Sequence, residues 1–390
     1  MFNRFKYPLQ TDNFTLLDRL KVALFVLNKR NRLTFGPKVI QLEETWENIA
    51  KSKCVATSSG STANSLLFET FLQTHNYDPK NITVFCPSTT WASSVTPIIM
   101  RGMEVKFVDI NLTDFSFDYA KLAQELKTRE NDGKIKVIWP TALIGFIPDI
   151  DRLRGLAKEF GAYLFADLCE CTIGEYKGHN ILNCFDMATT SFFWAHQLTA
   201  IEFGILFIKP ELEKEYHNAL SIRSHGLTRV LPIKLRESIE KHHPNIDKEF
   251  LFDKIGTNWR NTDIHAMFGL LDTKRLDFYT KFRKDLWRYF LDRLPNHFRP
   301  LNREIVPFCL PFVLKENNPK YIKSIKNILN ENGWETRPII CYLPINPAFV
   351  KYGSGDVYEN SRFLNNNGFY VGLNKDLKTK DIDKLLNLVK

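Results

Sequence analysis

Three short stretches of this chain carry residue types that could do chemistry together. In Thr57-Ser58-Ser59-Gly60-Ser61-Thr62-Ala63-Asn64, a strand-like Cys54-Val55-Ala56 feeds a Ser/Gly turn from which a helix starts. Free N–H groups and the positive end of a helix dipole suit a phosphate there, although Ser and Gly are also ordinary helix caps. In Leu164-Phe165-Ala166-Asp167-Leu168-Cys169-Glu170 an apolar strand ends on a carboxylate, Asp167, which could pair with a protonated ring nitrogen or simply cap the strand. In Thr190-Ser191-Phe192-Phe193-Trp194-Ala195-His196 an imidazole follows three aromatics. Such a histidine is either packed in a core or, with an ordinary pKa near ~6.5, available as a base at neutral pH.

The elements that must position these residues alternate. Strand-like runs at Ile82–Cys86, Val105–Val108, Ile135–Trp139, Ala162–Ala166 and Gly204–Ile208 are separated by helical patterns at Ser61–His75, Ala92–Arg101, Tyr119–Lys127 and Ile150–Phe160. Leu66, Leu67, Phe68, Phe71 and Leu72 form the apolar stripe of the first helix. This alternation predicts an α/β fold with a mostly parallel sheet covered on both faces, its ligands beyond the carboxyl ends of the strands. After about residue 210 helical patterns dominate, at Glu211–Leu220 and Thr262–Leu294. A smaller α+β region then has strands near Val306–Leu314 and Glu335–Ile340. We expect two domains, 1–246 and 247–390, meeting in the polar stretch around His242-His243-Pro244.

Composition excludes several classes. The chain has 390 residues, 44% hydrophobic and 25% charged, which is globular rather than disordered. No apolar run is long enough to span a membrane, and the N-terminus has no secretory apolar core. Seven scattered cysteines suit thiols in a reducing, cytoplasmic setting, and Cys169 and Cys171 lack the second pair a metal site would need. The net charge of +9 is spread among acidic residues, so it fits a solvated face or an anionic small molecule better than nucleic acid.

The Ser191-to-His196 segment resembles the Ser-Phe-x-x-x-Lys signature of the DegT/DnrJ/EryC1/StrS sugar aminotransferases, with His196 where that family has the Lys of the cofactor Schiff base. The likeness continues through Ser59–Asn64, Pro87–Trp91, Asp167–Glu170, Arg223-Ser224-His225-Gly226, Gly256–Arg260, Thr336-Arg337-Pro338-Ile339 and Phe369-Tyr370-Val371-Gly372, in the family's order. It implies an aspartate-aminotransferase-like large domain, the fold type I of pyridoxal 5'-phosphate (PLP) enzymes, with a smaller C-terminal α+β domain. It further implies cofactor contacts from Gly60, Ser61, Trp91, Asp167, Glu170, Ser191 and Asn258, the last reaching a neighbouring subunit of a homodimer with shared sites.

The likeness is greatest to members that carry His in place of the Lys and act as sugar 3-dehydratases. An imidazole cannot form an imine, so the cofactor, as PLP or pyridoxamine phosphate (PMP), would be held without a covalent link, with His196 as base. The implied substrate is a nucleotide-linked 4-keto-6-deoxy sugar, GDP-4-keto-6-deoxy-mannose by resemblance alone, with glutamate as amino donor. The implied product serves 3,6-dideoxysugar biosynthesis for O-antigen or another surface polysaccharide. Arg223, Arg229, Arg260 and Arg337 are the expected contacts of the substrate's phosphates, since Arg forks suit them. Three other readings stay open: an aminotransferase without the covalent Lys, an inactive regulatory relative, and an iron–sulfur dehydratase, the last disfavoured because no Cys lies between Cys184 and Cys309. The family's Glu-Gly-Gly reads Glu202-Phe203-Gly204 here, which is expected to add bulk near the site.

Overall fold

The structure is a computed structural model and describes residues 5–353, 355 and 357–390. The strands are β1 Lys53–Thr57, β2 Ile82–Pro87, β3 Glu104–Val108, β4 Ile135–Ile138, β5 Tyr163–Asp167, β6 Glu175–Tyr176, β7 His179–Asn180, β8 Met187–Ser191, β9 Gly204–Ile208, β10 Cys309–Val313, β11 Thr336–Pro338 and β12 Gly368–Gly372. The helices are α1 Leu16–Leu27, α2 Pro37–Ala50, α3 Gly60–His75, α4 Ala92–Met100, α5 Tyr119–Thr128, α6 Ile150–Glu159, α7 Glu213–Arg223 and α8 Ile233–His242. They continue as α9 Asp263–Thr273, α10 Leu276–Leu291, α11 Pro319–Glu331, α12 Glu359–Asn367 and α13 Thr379–Leu388.

Seven strands form one sheet in the order β1-β9-β8-β5-β4-β2-β3. The pairs from β8 to β3 are parallel, whereas β9 runs antiparallel to both β1 and β8. Nearly every residue of these strands is buried, as a sheet covered on both faces requires. One core, around Trp46, Phe192 and Phe207, fills one side, and another, around Phe68, Trp139 and Phe165, fills the other. The parallel strands alternate with helices that start from side-chain caps: Ser59 and Thr62 form a capping box on α3, Asp118 caps α5 and Asp149 caps α6. The carboxyl ends of β2, β5 and β8 therefore open onto helix starts and loops, which is where this architecture places ligands.

A second, three-stranded sheet, β10-β12-β11, carries its own core around Trp287, Phe290 and Phe312. That core also takes in Ile144 and Phe146 from the large sheet's loops, so the two layers of packing are continuous. Residues 241–250, where the sequence suggests a boundary, are exposed and run from the end of α8 through a turn into a short 3-10 helix at Lys248–Phe250. Beyond it α9 still packs against α2, and Asp263 caps α2 by accepting N–H bonds from Lys38 (3.1 Å) and Val39 (3.0 Å). The predicted single helical region 262–294 is two helices, broken at Lys274-Arg275. Among the described residues, no helix is long and apolar enough to cross a membrane.

Candidate active site

Asp167 is the last residue of β5 and is almost fully buried. Its Oδ2 accepts from Asn64 Nδ2 (2.8 Å) and Ser94 Oγ (2.6 Å), and its Oδ1 accepts from the Cys169 N–H (3.0 Å). Asn64 is itself oriented by Thr189 Oγ1 (2.5 Å), which donates to its Oδ1. A carboxylate offers about four acceptor positions, so one remains on Oδ1 for a further donor. That matches a pyridinium N–H, which a carboxylate holds in the protonated form.

Beside it, β8 ends on Ser191 and α3 begins on Gly60. A Cβ on Gly60 would lie 2.7 Å from Ser191 Cβ and 2.8 Å from Cys169 Sγ, so only glycine lets α3 start this close to the two strand ends. The first helix-type bond of α3 is donated by Ala63 to Ser59 O (3.0 Å), leaving the N–H groups of Gly60 and Ser61 without helical acceptors. A small-residue cradle, a helix N-terminus and an acceptor-ready carboxylate are the donor and acceptor set a phosphorylated pyridine needs, and the residues present fit PLP or PMP. Trp91 stands one turn before Ser94, whose N–H donates to Trp91 O (3.0 Å), and the residue is 56% exposed, available for stacking.

His196 lies in the β8–β9 loop. Its Nδ1 is 3.1 Å from Ser191 O, and its ring meets the ring edges of Phe193 at 5.7 Å and Phe308 at 5.5 Å. A carbonyl only accepts, so Nδ1 carries the hydrogen and Nε2 keeps the lone pair in the neutral ring. Burial pushes the imidazole down to about 4, against weaker upward pulls from Ser191 O and Asp167, so it sits well below the value of a free histidine. Glu170 accepts the Ile144 N–H (2.8 Å), and burial pushes its carboxyl up to about 7. Ile144 holds φ +46°, a left-handed conformation rare for a β-branched residue, beside Gly145 at φ +90°.

Other expected site residues lie elsewhere. Arg223 is 3% exposed and committed internally: its Nη1 bonds Glu43 (2.5 Å) and Ala56 O (3.2 Å), and its guanidinium covers the Phe35 ring. It braces β1 against α2 and α7 and is not presented to a substrate. Arg229 and Arg260 do reach the surface, the first pairing with Glu249 (2.9 Å) and the second with Asn258 Oδ1 (3.0 Å). Burial, then the charges of Arg223, Arg229 and Arg32, lower the Arg260 pKa, which marks a concentration of positive charge there. Asn258 is exposed beside Trp259, whose carbonyl accepts from Ser58 (2.9 Å) at the entrance to the phosphate loop. Arg337 is exposed on β11 and pairs with Glu335 (2.9 Å), opposite Tyr370 in the ladder.

Phe203 corrects an expectation. Its side chain is fully buried against Phe192 and adds nothing to the cleft. Gly204, next to it, is the position that cannot change, because a Cβ there would fall 2.2 Å from Ser59 O. Sequence reasoning missed Ser94, Gln197, Arg283 and Phe308 and gave Asn64 to the phosphate turn. A polar Asn64 ahead of the apolar stripe of the same helix was an available signal.

The profile of the DegT/DnrJ/EryC1/StrS aminotransferase family matches residues 18–390, and the chain belongs to that family. It is 28% identical to the GDP-4-keto-6-deoxy-D-mannose 3-dehydratase of Escherichia coli O55:H7, over 98% of this chain and 99% of that one. A solved variant of GDP-4-keto-6-deoxymannose-3-dehydratase with bound GDP-perosamine superposes with a TM-score of 0.88 at 26% identity, covering 99% of this chain and 100% of the other. A second solved structure of that dehydratase, with a trapped PLP–glutamate geminal diamine, gives a TM-score of 0.86 at 26% identity over the same shares.

Proposed function

We propose that this protein is a PLP/PMP-dependent 3-dehydratase that removes the C3 hydroxyl of a nucleotide-linked 4-keto-6-deoxy sugar, with GDP-4-keto-6-deoxy-mannose as the substrate to test first. The observation that carries the reading is His196, at the family's Lys position, with Nδ1 bonded to Ser191 O and Nε2 left as a base. The similarity to the E. coli dehydratase, and to solved GDP-4-keto-6-deoxymannose-3-dehydratase structures with a PLP–glutamate geminal diamine and with GDP-perosamine, supports the same cofactor, glutamate as amino donor and a GDP sugar.

When bound, the cofactor supplies an amine for the C4 ketone and a ring that accepts electrons. The chain's residues do the rest. The N–H groups at the start of α3, with Ser191, hold the phosphate, and Trp91 lies against the ring. Asp167, fixed by Asn64 and Ser94, holds a proton at the ring nitrogen. Glu170, with its carboxyl pushed up to about 7, can carry a proton beside the ring oxygen. His196 Nε2 takes a proton from carbon and returns it to the departing C3 hydroxide, so that water leaves. With no amine at position 196, the cofactor stays untethered. Overall, the sugar and glutamate become the 3-deoxy-4-keto sugar, 2-oxoglutarate and ammonia.

Arg229, Arg260 and Arg337 bind the substrate's phosphates, and Asn258 reaches the cofactor phosphate of a second subunit in a homodimer. The seven cysteines are free thiols, which supports a cytoplasmic setting. The test is to incubate the protein with PLP, glutamate and GDP-4-keto-6-deoxy-mannose and weigh the sugar product. The proposal requires loss of one oxygen with no nitrogen gained; a stable amino sugar would refute it in favour of transamination.

A further inference from the structure

A buried cation stands behind His196 that the reaction above does not use. Arg283 of α10 is 4% exposed and forms no ion pair among the described residues. Its Nη1 donates to the carbonyls of Pro307 (3.1 Å) and Phe308 (2.9 Å), and its Nε has no partner. Gln197, the neighbour of His196, donates to the preceding carbonyl, Val306 O (2.7 Å), while its own Oε1 accepts from Ile173 (2.9 Å). Three consecutive carbonyls are therefore tied. The turn is held on its far side as well, where Phe308 N–H donates to Ile144 O (3.0 Å). Gly145 lies so close that a Cβ would sit 2.7 Å from Val306 O. What this clamp presents to the cleft is the Phe308 ring, edge-on to His196.

Neutral donors would satisfy two carbonyls, and burying a guanidinium without a carboxylate is costly. A charge at that place needs another use. The charged groups that face the imidazole are Asp167 from β5, which favours a proton on it, and Arg283 from α10, which opposes one. Its hydrogen-bond and ring contacts, Ser191 O from β8 and the rings of Phe193 and Phe308, carry no net charge.

We propose that Arg283 is a positioning residue for His196: it clamps the 306–308 turn so that Phe308 covers one side of the half-buried imidazole, and it sets a cation behind that ring. This rests on reading His196 as the base, but its test does not need turnover. Histidine-labelled full-length protein is titrated by NMR, with the His196 signal assigned from its loss in His196→Asn. Arg283→Gln keeps donors for the carbonyls and drops the charge; His196 should then titrate higher by roughly half a pH unit, since burial is the larger cause of its low value. Arg283→Lys keeps the charge and should titrate close to wild type. An unchanged His196 in Arg283→Gln, or an equal shift in Arg283→Lys, would overturn the proposal. Should Arg283→Gln not fold, Phe308→Ala removes the wall while leaving the cation, and it too should raise the His196 value; no change there is equally contrary. A wild-type protein that fails to dehydrate the sugar would sink the proposed function while leaving this titration intact.

Discussion

The two sides of the cleft are built differently. On the sheet side, Asp167, Asn64, Ser94 and Thr189 are buried and bonded to one another, with Ser191 buried beside them, so the arrangement exists before anything binds. By contrast, the residues expected to form the rim are at least partly exposed and paired at the surface, Arg229 with Glu249, Arg260 with Asn258 and His225, and Arg337 with Glu335. Buried polar networks are costly when incomplete and hold their geometry when complete. Exposed pairs contribute little and exchange easily. On the proposed function, the rigid side does the chemistry and the adaptable one recognises a large anion.

Breaking the rigid side should have the largest effects. Asp167→Ala leaves Asn64 and Ser94 without their acceptor and should weaken PLP binding about 100-fold, the equivalent of about 2.7 kcal/mol, with turnover lost; absorbance titration with PLP reads this directly. Next, His196→Asn should keep the PLP absorbance change and lose about a thousandfold in kcat. On the rim, Arg260→Ala and Arg229→Ala should each raise KM for the nucleotide sugar about tenfold with the cofactor spectrum unaltered. Arg223 sharpens the contrast, because it belongs to neither side. Arg223→Ala strands buried Glu43 and should cost about 3 kcal/mol in denaturant unfolding, whereas a KM effect in a fully stable variant would return it to the rim.

A further effect is in pH. His196 is held near 4 in the folded chain against an ordinary 6.5, so between those values the unfolded chain binds a proton that the folded one does not. Stability should rise with pH across that window, and His196→Asn should flatten the rise by up to one proton. The acid limb of kcat should likewise fall nearer 4 than 6.5.

The sheet side was legible from sequence because its parts are local. A strand running into a carboxylate at Asp167, a Ser/Gly turn before α3, and Ser191 with His196 five residues on are each contained within one stretch of chain. The strand boundaries followed for the same reason: β2 was expected at 82–86 and spans 82–87. β8 escaped because Met187–Ser191 carries two threonines and a serine, a buried strand that reads as polar. The bracing contacts were out of reach because they join distant segments. Phe308 meets His196 from more than a hundred residues away, and nothing in Val306-Pro307-Phe308 marks it. Arg223 shows the opposite failure. Its charge suggested a ligand contact, but Glu43, 180 positions earlier, had already claimed it.

The central claim is that an untethered cofactor, held by the Asp167 network and served by His196, removes oxygen from a sugar instead of adding nitrogen to it. Its most direct test is the ratio of ammonia to 2-oxoglutarate released while the protein consumes GDP-4-keto-6-deoxy-mannose and glutamate. Dehydration predicts one ammonia for each 2-oxoglutarate. Formation of 2-oxoglutarate in step with sugar consumption but without ammonia would contradict it.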